Sequence, residues 1–238
     1  MFYIGADVSK GRWLTVRLSE NLGWKVSLFE TVKEIWDDYY AATLILVDVP
    51  IGLMEDGQRE RLCDVEARRH LGPRGSSVFR VPCRVALGAD NYIDANRINR
   101  DRTGKGVSKQ SWAIVPKIRE VDEFLNSNFA ARQKIRETHP EICFWALNGG
   151  RPMMFNKKKN EGVKERVRVL RRLCNQTSAI LEFARNEFQG KVPDDDIIDG
   201  LVAAVTAFLG GKGLLTIPQK PEIDTMGLEM EMVYYFVD

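Results

Sequence analysis

The chain has 238 residues, of which 44% are hydrophobic and 29% are charged, and it carries a net charge of +2. These values indicate a globular protein with one large α/β domain or two small ones, and they exclude a disordered or fibrous chain. No apolar run approaches the roughly 20 residues of a membrane helix, and the first residues lack the pattern of a signal peptide. The sequence therefore predicts a cytoplasmic protein with no membrane partner.

The first fifty residues predict most of a sheet. Residues 2–4, 13–18 and 24–29 are short apolar or alternating segments, which predict three strands. The turns between them are short enough for an antiparallel meander. Residues 32–40 predict a helix. Residues 44–49, LILVDV, form an apolar run that is typical of a central strand covered on both faces.

The remainder of the chain predicts helices around one long loop. Residues 72–112 are rich in Gly, Arg, Ser and Asn, and a loop of that length is usually functional or mobile. The simplest organisation is a single domain over residues 1–238 with an insertion at about residues 58–130. The other predicted elements are helices over residues 58–71, 114–129 and 163–188 and strands over residues 135–144 and 229–236.

The cysteines and histidines argue against a zinc site. The four cysteines are widely spaced and form no C-x-x-C motif, so they predict inert thiols in a reducing compartment. Only two histidines are present, which excludes a histidine-rich metal site.

Positive charge is concentrated in two segments of this nearly neutral chain. Residues 68–109 contain ten Lys or Arg and three acids, and residues 157–172 contain eight Lys or Arg and two acids. Such segments suggest a positive surface able to contact phosphates. The alternative is a pair of solvated faces, which explains residues 157–172 equally well.

The stretch VPDDDIIDG places four aspartates at the start of an apolar helix. Capping and the helix dipole account for Asp194 and for Asp195. They do not account for Asp199, which lies more than one turn into the helix. Asp199 shares a helix face with Asp196 and with Asp195, where like charges repel unless a cation lies between them. Capping is the alternative explanation for the cluster as a whole.

Small residues continue the face on which Asp196 lies. They are Gly200, Ala203 and Ala207, and they would let this face approach another backbone closely, for instance that of a sheet. The larger residues form a separate stripe suited to a core, namely Ile197, Leu201, Val205 and Phe208.

Three further acids lie at predicted strand ends. Asp7 follows FYIGA, Asp48 lies in LILVDVP, and Glu141 lies in or beside the predicted strand of ETHPEICF. Each one alone is explained by a cap, a turn or solvent exposure. Together with Asp196 and Asp199 they predict a site at the carboxyl ends of the strands, where carboxylates would bind Mg²⁺ or Mn²⁺. Two such ions can activate water for phosphodiester cleavage.

The order of motifs resembles a known family over residues 1–210. The motifs are GADVSKGRW, LILVDVPIGL, RLCDVEARRHLGPRGSSVFRVPCR, GVSKQSWAIVPKIREVD, ETHPEICFWALNG and DDDIIDGLVAA. They resemble the domain-of-unknown-function family numbered 429, whose members are described as predicted RNase H-like nucleases. The resemblance implies an α/β fold with three antiparallel strands followed by parallel ones, flanked by helices and interrupted by an inserted loop and helical region.

The resemblance also implies which acids would be catalytic. In the superfamily one acid ends the first strand, a second comes from the fourth strand, and others come from a late helix. Asp7 matches the first of these and Asp48 the second. Asp196 and Asp199 match the late-helix acids, with Asp195 as an alternative to Asp196, and Glu141 lies at the edge of the site.

The same motifs supply candidates for substrate binding. Hydroxyl, amide, guanidinium and ammonium groups suit phosphate oxygens, and the candidates are Ser76, Ser77, Arg80, Arg84, Gln110, Lys117 and His139. Lys105 and Lys109 extend the same basic segment. His139 is either a proton carrier or a strand-end histidine bonded to backbone. Ser76 and Ser77 are alternatively turn residues.

Three functions are compatible with these residues. The first is a metal-dependent phosphodiesterase acting on nucleic acid. The second is a non-catalytic nucleic-acid-binding module on the same fold, which would bind in a salt-sensitive way without turnover. The third is a phosphotransferase of the actin or sugar-kinase type, although a second glycine-rich phosphate loop to pair with Asp7 is absent from the sequence.

Overall fold

The computed structural model describes residues 1–56, 59–211 and 213–237. Within these residues, five strands form a mixed sheet, and across the sheet they are β3 (Trp24–Phe29), β2 (Arg12–Ser19), β1 (Phe2–Ser9), β4 (Leu44–Val47) and β5 (Ile135–Glu137). Strands β1 (Phe2–Ser9), β2 (Arg12–Ser19) and β3 (Trp24–Phe29) form the predicted antiparallel meander. The sequence placed all three correctly, although β1 extends five residues beyond its predicted end at residue 4.

Two parallel strands complete the sheet beside β1. After helix α1 (Val32–Tyr39), strand β4 (Leu44–Val47) pairs with β1, and strand β5 (Ile135–Glu137) pairs with β4. The carboxyl ends of β1, β4 and β5 therefore lie at the same edge of the sheet. The predicted α/β class, with a mixed sheet flanked by helices, is confirmed at this level.

Helices connect β4 to β5 and follow β5. Between the strands a short 3₁₀ helix (Gly72–Ser77) accompanies α2 (Leu62–Leu71), α3 (Arg84–Leu87), α4 (Tyr92–Thr103), α5 (Lys109–Ser127) and α6 (Phe129–Arg132). After β5 come α7 (Pro140–Leu147), α8 (Asn160–Leu173), α9 (Thr177–Phe188), α10 (Asp194–Gly210) and an antiparallel pair, β6 (Leu215–Ile223) and β7 (Glu229–Tyr234).

The predicted loop over residues 72–112 is wrong, because most of it is helical. The side chain of Asn91 caps α4, and Gly104 ends that helix in the left-handed conformation. Ser108 caps α5, which begins five residues before the prediction. Helix α4 is polar on most of its surface, so hydrophobic periodicity could not reveal it. The helix predicted over residues 58–71 begins at Leu62, and Gln58 lies outside the described residues.

Two predictions after residue 130 are also corrected. The strand predicted over residues 135–144 ends at Glu137, and Pro140 then begins α7. Proline suits the first turn of a helix, and α7 is buried on almost every side, so it has no amphipathic period. The single helix predicted over residues 163–188 is interrupted near Cys174, where α8 ends and α9 follows. The sequence did not predict β6.

Each face of the sheet is covered by helices. On one face Ile4 and Trp13 pack with Ile35 of α1 and Ile118 of α5. On the other face Leu14 of β2 belongs to a cluster formed largely by helices α7 to α10. All four cysteines are free and none pairs in a disulfide, as predicted. Among the described residues, no helix is long and apolar enough to cross a membrane.

Helix α10 lies directly against β1, as its small residues predicted. A Cβ atom added at Gly5 would lie 2.1 Å from the backbone nitrogen of Ala204 and 2.3 Å from the carbonyl oxygen of Gly200. Only a glycine lets the two backbones approach this closely. The predicted stripe of larger residues is also in the core, since Ile197, Leu201 and Val205 are fully buried.

We predict that Gly5→Ala destabilises the protein by about 3 kcal/mol or more, because the added methyl collides with backbone that cannot move independently of the helix. Gly88→Ala is the matched control, because its new Cβ would meet nothing closer than the carbonyl of Val85 at 3.5 Å. Chemical denaturation of both variants and the parent measures the difference. Equal stability of the two variants would contradict the account.

Candidate metal centre

The strand register brings the first two acids together. Ala6 of β1 pairs with Val47 of β4 in parallel, and the backbone N–H of Asp48 donates to the carbonyl of Ala6 at 2.9 Å. Asp7 and Asp48 therefore lie side by side at the carboxyl ends of neighbouring strands. The backbone N–H of Val8 donates to Asp7 Oδ1 at 2.7 Å, which fixes the orientation of that carboxylate.

Helix α10 supplies the third acid. Because its small residues lie on Gly5, the buried Asp199 reaches the ends of β1 and β4. One carboxylate oxygen each from Asp7, Asp48 and Asp199 lies within 4.8 Å of the others. We call these three residues the carboxylate triad. Asp7 and Asp199 thus meet, although 191 positions separate them in the chain.

The other aspartates of α10 have different surroundings. Asp196 lines the same cleft one turn earlier, whereas Asp195 is not among the lining residues. Asp194 pairs with Arg185, whose Nη2 lies 2.8 Å from Asp194 Oδ2. No aspartate side chain caps the helix, because Pro193 occupies the N-cap position. Capping is therefore not the role of this acidic cluster, although its charges do suit the helix dipole.

The triad lies in a cleft of about 700 Å³ between the sheet edge and the surrounding helices. It is lined by the ends of β1, β4 and β5, by the 3₁₀ helix, by the starts of α5, α7 and α10, and by single residues of α2 and β7. Lys157 and Lys158, from the loop before α8, complete the wall. Metal, water and substrate could therefore reach the carboxylates.

Burial and mutual repulsion destabilise the charged form of the triad and so raise the pKa values of its carboxylates. Burial, followed by the charges of Asp48 and Asp199, raises the pKa of Asp7 well above its usual value. Burial likewise raises the pKa of Asp48, although His139 and Lys157 act against it. Burial raises the pKa of Asp199 to about 7, again against Lys157. Burial also raises the pKa of Asp196.

Lys157 provides the cation nearest to the triad. Its Nζ lies 2.5 Å from Asp199 Oδ2. Burial alone would lower the pKa of Lys157, but Asp199 and Asp7 outweigh that effect and raise it, so the side chain is charged. The sequence did not single out this residue, because it is one of three consecutive lysines and only the fold distinguishes it.

The donor set suits a hard divalent cation. The triad offers carboxylate oxygens only, and three close acids, of which Asp7 and Asp199 are buried and Asp48 is partly buried, need more positive charge than one lysine supplies. Mg²⁺ and Mn²⁺ prefer oxygen ligands and would relieve the repulsion that raises the pKa of Asp7. The residues present therefore fit the predicted metal.

Four of the predicted substrate-binding residues line the cleft, namely Ser76, Ser77, Gln110 and His139. His139 is the N-cap of α7, where its Nδ1 accepts from the backbone N–H of Glu141 at 3.2 Å. Its Nε2 lies 3.4 Å from the carbonyl oxygen of Ser77. His139 is thus bonded to backbone, as the alternative interpretation held, but at a helix start rather than a strand end.

Glu141 lines the cleft but is held by arginines. It lies in the first turn of α7, not in or beside a strand as predicted, and it is buried. Its Oε1 accepts from Arg166, and Arg74 approaches the same oxygen at 3.5 Å. The sequence singled out neither partner for this acid. Glu141 is therefore not part of the triad, although its charge raises the pKa of Asp48 and of Asp199. Its catalytic role stays a prediction.

The remaining predicted basic residues do not line the cleft. Arg84 is surrounded by three carboxylates, those of Glu55, Asp122 and Asp224. The Nζ of Lys117 donates to Glu120 Oε2 and to the carbonyl of Glu30, each at 2.6 Å. Both residues form ion pairs with acids inside the fold, so neither fits the predicted role of binding phosphate.

Arg80, Lys105 and Lys109 lie outside the cleft lining as well. Arg80 Nη1 is 3.6 Å from Glu60 Oε1. Lys105 and Lys109 are exposed. Among the basic residues of the first segment, Arg74 is the one that reaches the cleft wall.

A buried ion-pair network supports the floor of the cleft. Arg61 donates to both oxygens of Glu137 at 2.8 Å and also pairs with Asp64. It further donates to the carbonyls of Ile51 and Gly52, which ties the chain after β4 to the end of β5. Burial raises the pKa of Glu137 to about 7, while the charge of Arg61 acts in the opposite direction. The sequence did not predict this network, because Glu137 is 76 residues from Arg61 in the chain and no local pattern marks the three partners.

The fold and the site define an α/β protein with a buried carboxylate triad at the carboxyl edge of a mixed sheet. A family model described as "Protein of unknown function (DUF429)" matches residues 5–223. The chain therefore belongs to the DUF429 family, and the family resemblance of the sequence is confirmed. No curated protein and no solved structure matches the chain.

We predict that Asp7→Asn stabilises the metal-free protein by roughly 1–3 kcal/mol at pH 8. The raised pKa of Asp7 means that its ionisation costs stability, and this cost appears as the pH rises above the unfolded value near 4. The advantage of the variant should therefore vanish near pH 4. Thermal melting across this pH range, with and without Mn²⁺, measures it. Mn²⁺ should raise the melting temperature of the parent more than that of the variant.

We predict that Lys157→Met has opposite effects on stability and on metal binding. Without metal it lowers stability by roughly 1–3 kcal/mol, because Asp199 loses its cation. It also tightens Mn²⁺ binding by about tenfold, the equivalent of roughly 1.4 kcal/mol, because the ammonium no longer competes. Calorimetric titration measures the affinity, and Lys159→Met, at an exposed position, is the control. Weaker Mn²⁺ binding by Lys157→Met would contradict this role.

Proposed function

We propose that this protein is a metal-dependent phosphodiesterase of the RNase H-like type that acts on nucleic acid. The observation that carries the proposal is the convergence of Asp7, Asp48 and Asp199 within 4.8 Å in an open cleft. Three acids from three separate elements are costly to bring together, and a divalent ion offsets that cost. Retaining such a cluster at a sheet edge is typical of a functional site.

The strand order supports the RNase H-like part of the proposal. Three antiparallel strands are followed by two parallel ones, in the order β3-β2-β1-β4-β5. The first and fourth strands and the last long helix each supply one acid of the triad. The resemblance implied acids from the same three elements, which supports the proposal. Fold alone does not decide function, so the chemistry of the site has to carry the argument.

The residues of the cleft divide into two roles. The carboxylate triad, with Asp196 beside it, would hold one or two Mg²⁺ or Mn²⁺ ions. When bound, such ions stabilise charge on phosphate oxygens and lower the pKa of water. Ser76, Ser77 and Gln110 line the same cleft and offer hydrogen-bond donors to phosphate oxygens. Lys157 and Lys158 offer ammonium groups from the same cleft.

One observation favours a second candidate, the non-catalytic nucleic-acid-binding module. Lys157 already pairs with Asp199, so part of the negative charge is neutralised by the protein itself. A module of this kind would bind nucleic acid without cleaving it and without needing metal. The small-molecule phosphotransferase has no comparable support in the cleft.

We predict Mn²⁺- or Mg²⁺-dependent cleavage within a panel of RNA, DNA and branched substrates. Asp7→Asn and Asp199→Asn should each lower the rate at least about 100-fold, because each removes a ligand charge from the triad. Asp196→Asn should lower it by roughly 10- to 100-fold as a neighbouring residue of the cleft. The initial rate of product formation on denaturing gels is the measurement.

Asp195→Asn is the matched control for these variants, because Asp195 precedes Asp196 directly and does not line the cleft. It should cleave at the rate of the parent. Cleavage by Asp7→Asn at the parent rate would refute the assignment. Salt-sensitive binding without turnover on any substrate would favour the binding module, and saturable nucleotide binding that does not depend on polynucleotide length would favour the phosphotransferase.

A further inference from the structure

A second concave surface lies between helices α8 and α9. It has a volume of about 810 Å³, and we call it the α8–α9 groove. Its basic lining residues are Lys164, Arg168, Arg171, Arg172 and Arg185, while Glu182 is the acid among its described lining residues. The groove is therefore strongly positive on a chain whose net charge is only +2.

The cations of α8 form one stripe along the groove. Lys164, Arg168 and Arg171 are spaced i, i+4 and i+7, so they lie on the same helix face and repel one another. All three are exposed. The side chain of Arg171 donates to the hydroxyl of Ser178 at 3.0 Å, which is a neutral partner. Among the described residues, no salt bridge joins this stripe to an acid.

This environment differs from that of the first basic segment. Arg68 pairs with Glu60, and Arg84 is neutralised by three carboxylates. Within the second segment Arg166 is buried against Glu141, and on α9, outside that segment, Arg185 pairs with Asp194. The cations of the α8 stripe therefore differ from these residues, because no acid of the described residues forms a salt bridge with them.

One end of the groove lies beside the cleft of the carboxylate triad. The groove begins at Asn160, two residues after Lys158, which lines the cleft. At the same end Arg185 pairs with Asp194, two residues before Asp196 of the cleft. From Asn160 to Arg172 the groove follows α8 for ~18 Å at the rise of a helix. It therefore forms a path that leads away from the site.

We propose that the α8–α9 groove binds the nucleic-acid strand that extends beyond the cleft. The charge pattern fits a row of phosphates, and the partly buried Val163 and Val167 offer an apolar surface between the cations. No aromatic side chain occurs among its described lining residues, so the groove contacts the backbone and not stacked bases. The choice of nucleic acid as the ligand rests on the proposed function. The test does not rest on it, because the test measures binding and not cleavage.

The test measures binding in EDTA, where cleavage cannot occur by the proposed mechanism. The triple variant Lys164→Gln, Arg168→Gln, Arg171→Gln is compared with the parent by fluorescence anisotropy on labelled 20-nucleotide oligothymidylate and oligouridylate. We expect at least a tenfold loss of affinity at about 0.1 M salt. The slope of log K against log salt should become shallower by about 2, because three contacts to a single strand contribute about 0.7 each.

A second triple variant, Lys25→Gln, Lys33→Gln, Lys220→Gln, has the same change in net charge at exposed positions elsewhere. It should lose less than twofold in affinity. The proposal is overturned if the α8 variant binds like the parent although its thermal melting is unchanged, or if both variants lose affinity equally. It is also overturned if vesicles with anionic lipid, and not the oligonucleotides, bind in a way that depends on the stripe.

This experiment separates the groove from the proposed chemistry. A parent protein that cleaves no substrate but binds oligonucleotides through the stripe would refute the phosphodiesterase and keep the groove. A parent that cleaves in a manner dependent on Asp7 but binds equally well without the stripe would refute the groove and keep the phosphodiesterase.

Discussion

The contact between helix α10 and strand β1 is the constraint on which the site depends. Gly5 has no side chain, so the backbone of α10 at Gly200 and Ala204 rests directly on the sheet. At a normal helix–sheet distance Asp199 would stop short of Asp7, because an aspartate side chain spans only two carbon–carbon bonds beyond Cα. A missing side chain in the first strand thus determines whether the last long helix can contribute its carboxylate to the triad.

This close packing creates an electrostatic cost that the rest of the molecule must balance. Three carboxylates are wholly or partly removed from water and placed beside one another, and the pKa of each is raised. Lys157 offsets part of the cost, and His139 lowers the pKa of Asp48. The Arg61 network joins the chain that follows β4 and Asp48 to the end of β5, which restricts movement at this edge of the sheet. Natural sites that keep such unfavourable arrangements generally do so for function.

The sequence revealed the acids of the triad but not their counter-ions. Asp7 and Asp48 could be found because both lie at the predicted ends of apolar strands, and Asp199 because capping could not explain it. Lys157, Arg61 and Arg166 could not be found, because a buried ion pair depends on contacts between distant residues and leaves no local pattern. The fold shows the same division. Strands with clear alternation were predicted well, whereas polar helices such as α4 and the fully buried α7 lack the periodicity that prediction requires.

The two basic segments show why charge counted along a chain does not locate a binding surface. In the first segment Arg68, Arg74 and Arg84 neutralise acids within the fold, whereas the stripe on α8 faces solvent. The cleft itself is negative, so a phosphate entering it meets repulsion that the groove cannot remove from a distance. A divalent ion in the cleft would convert that repulsion into attraction. Metal and polyanion would then strengthen each other's binding by the same factor, since coupling between two sites is reciprocal. On this reasoning the triad and the groove are parts of one binding surface. A bound metal ion would determine whether the cleft part of that surface repels or attracts a phosphate.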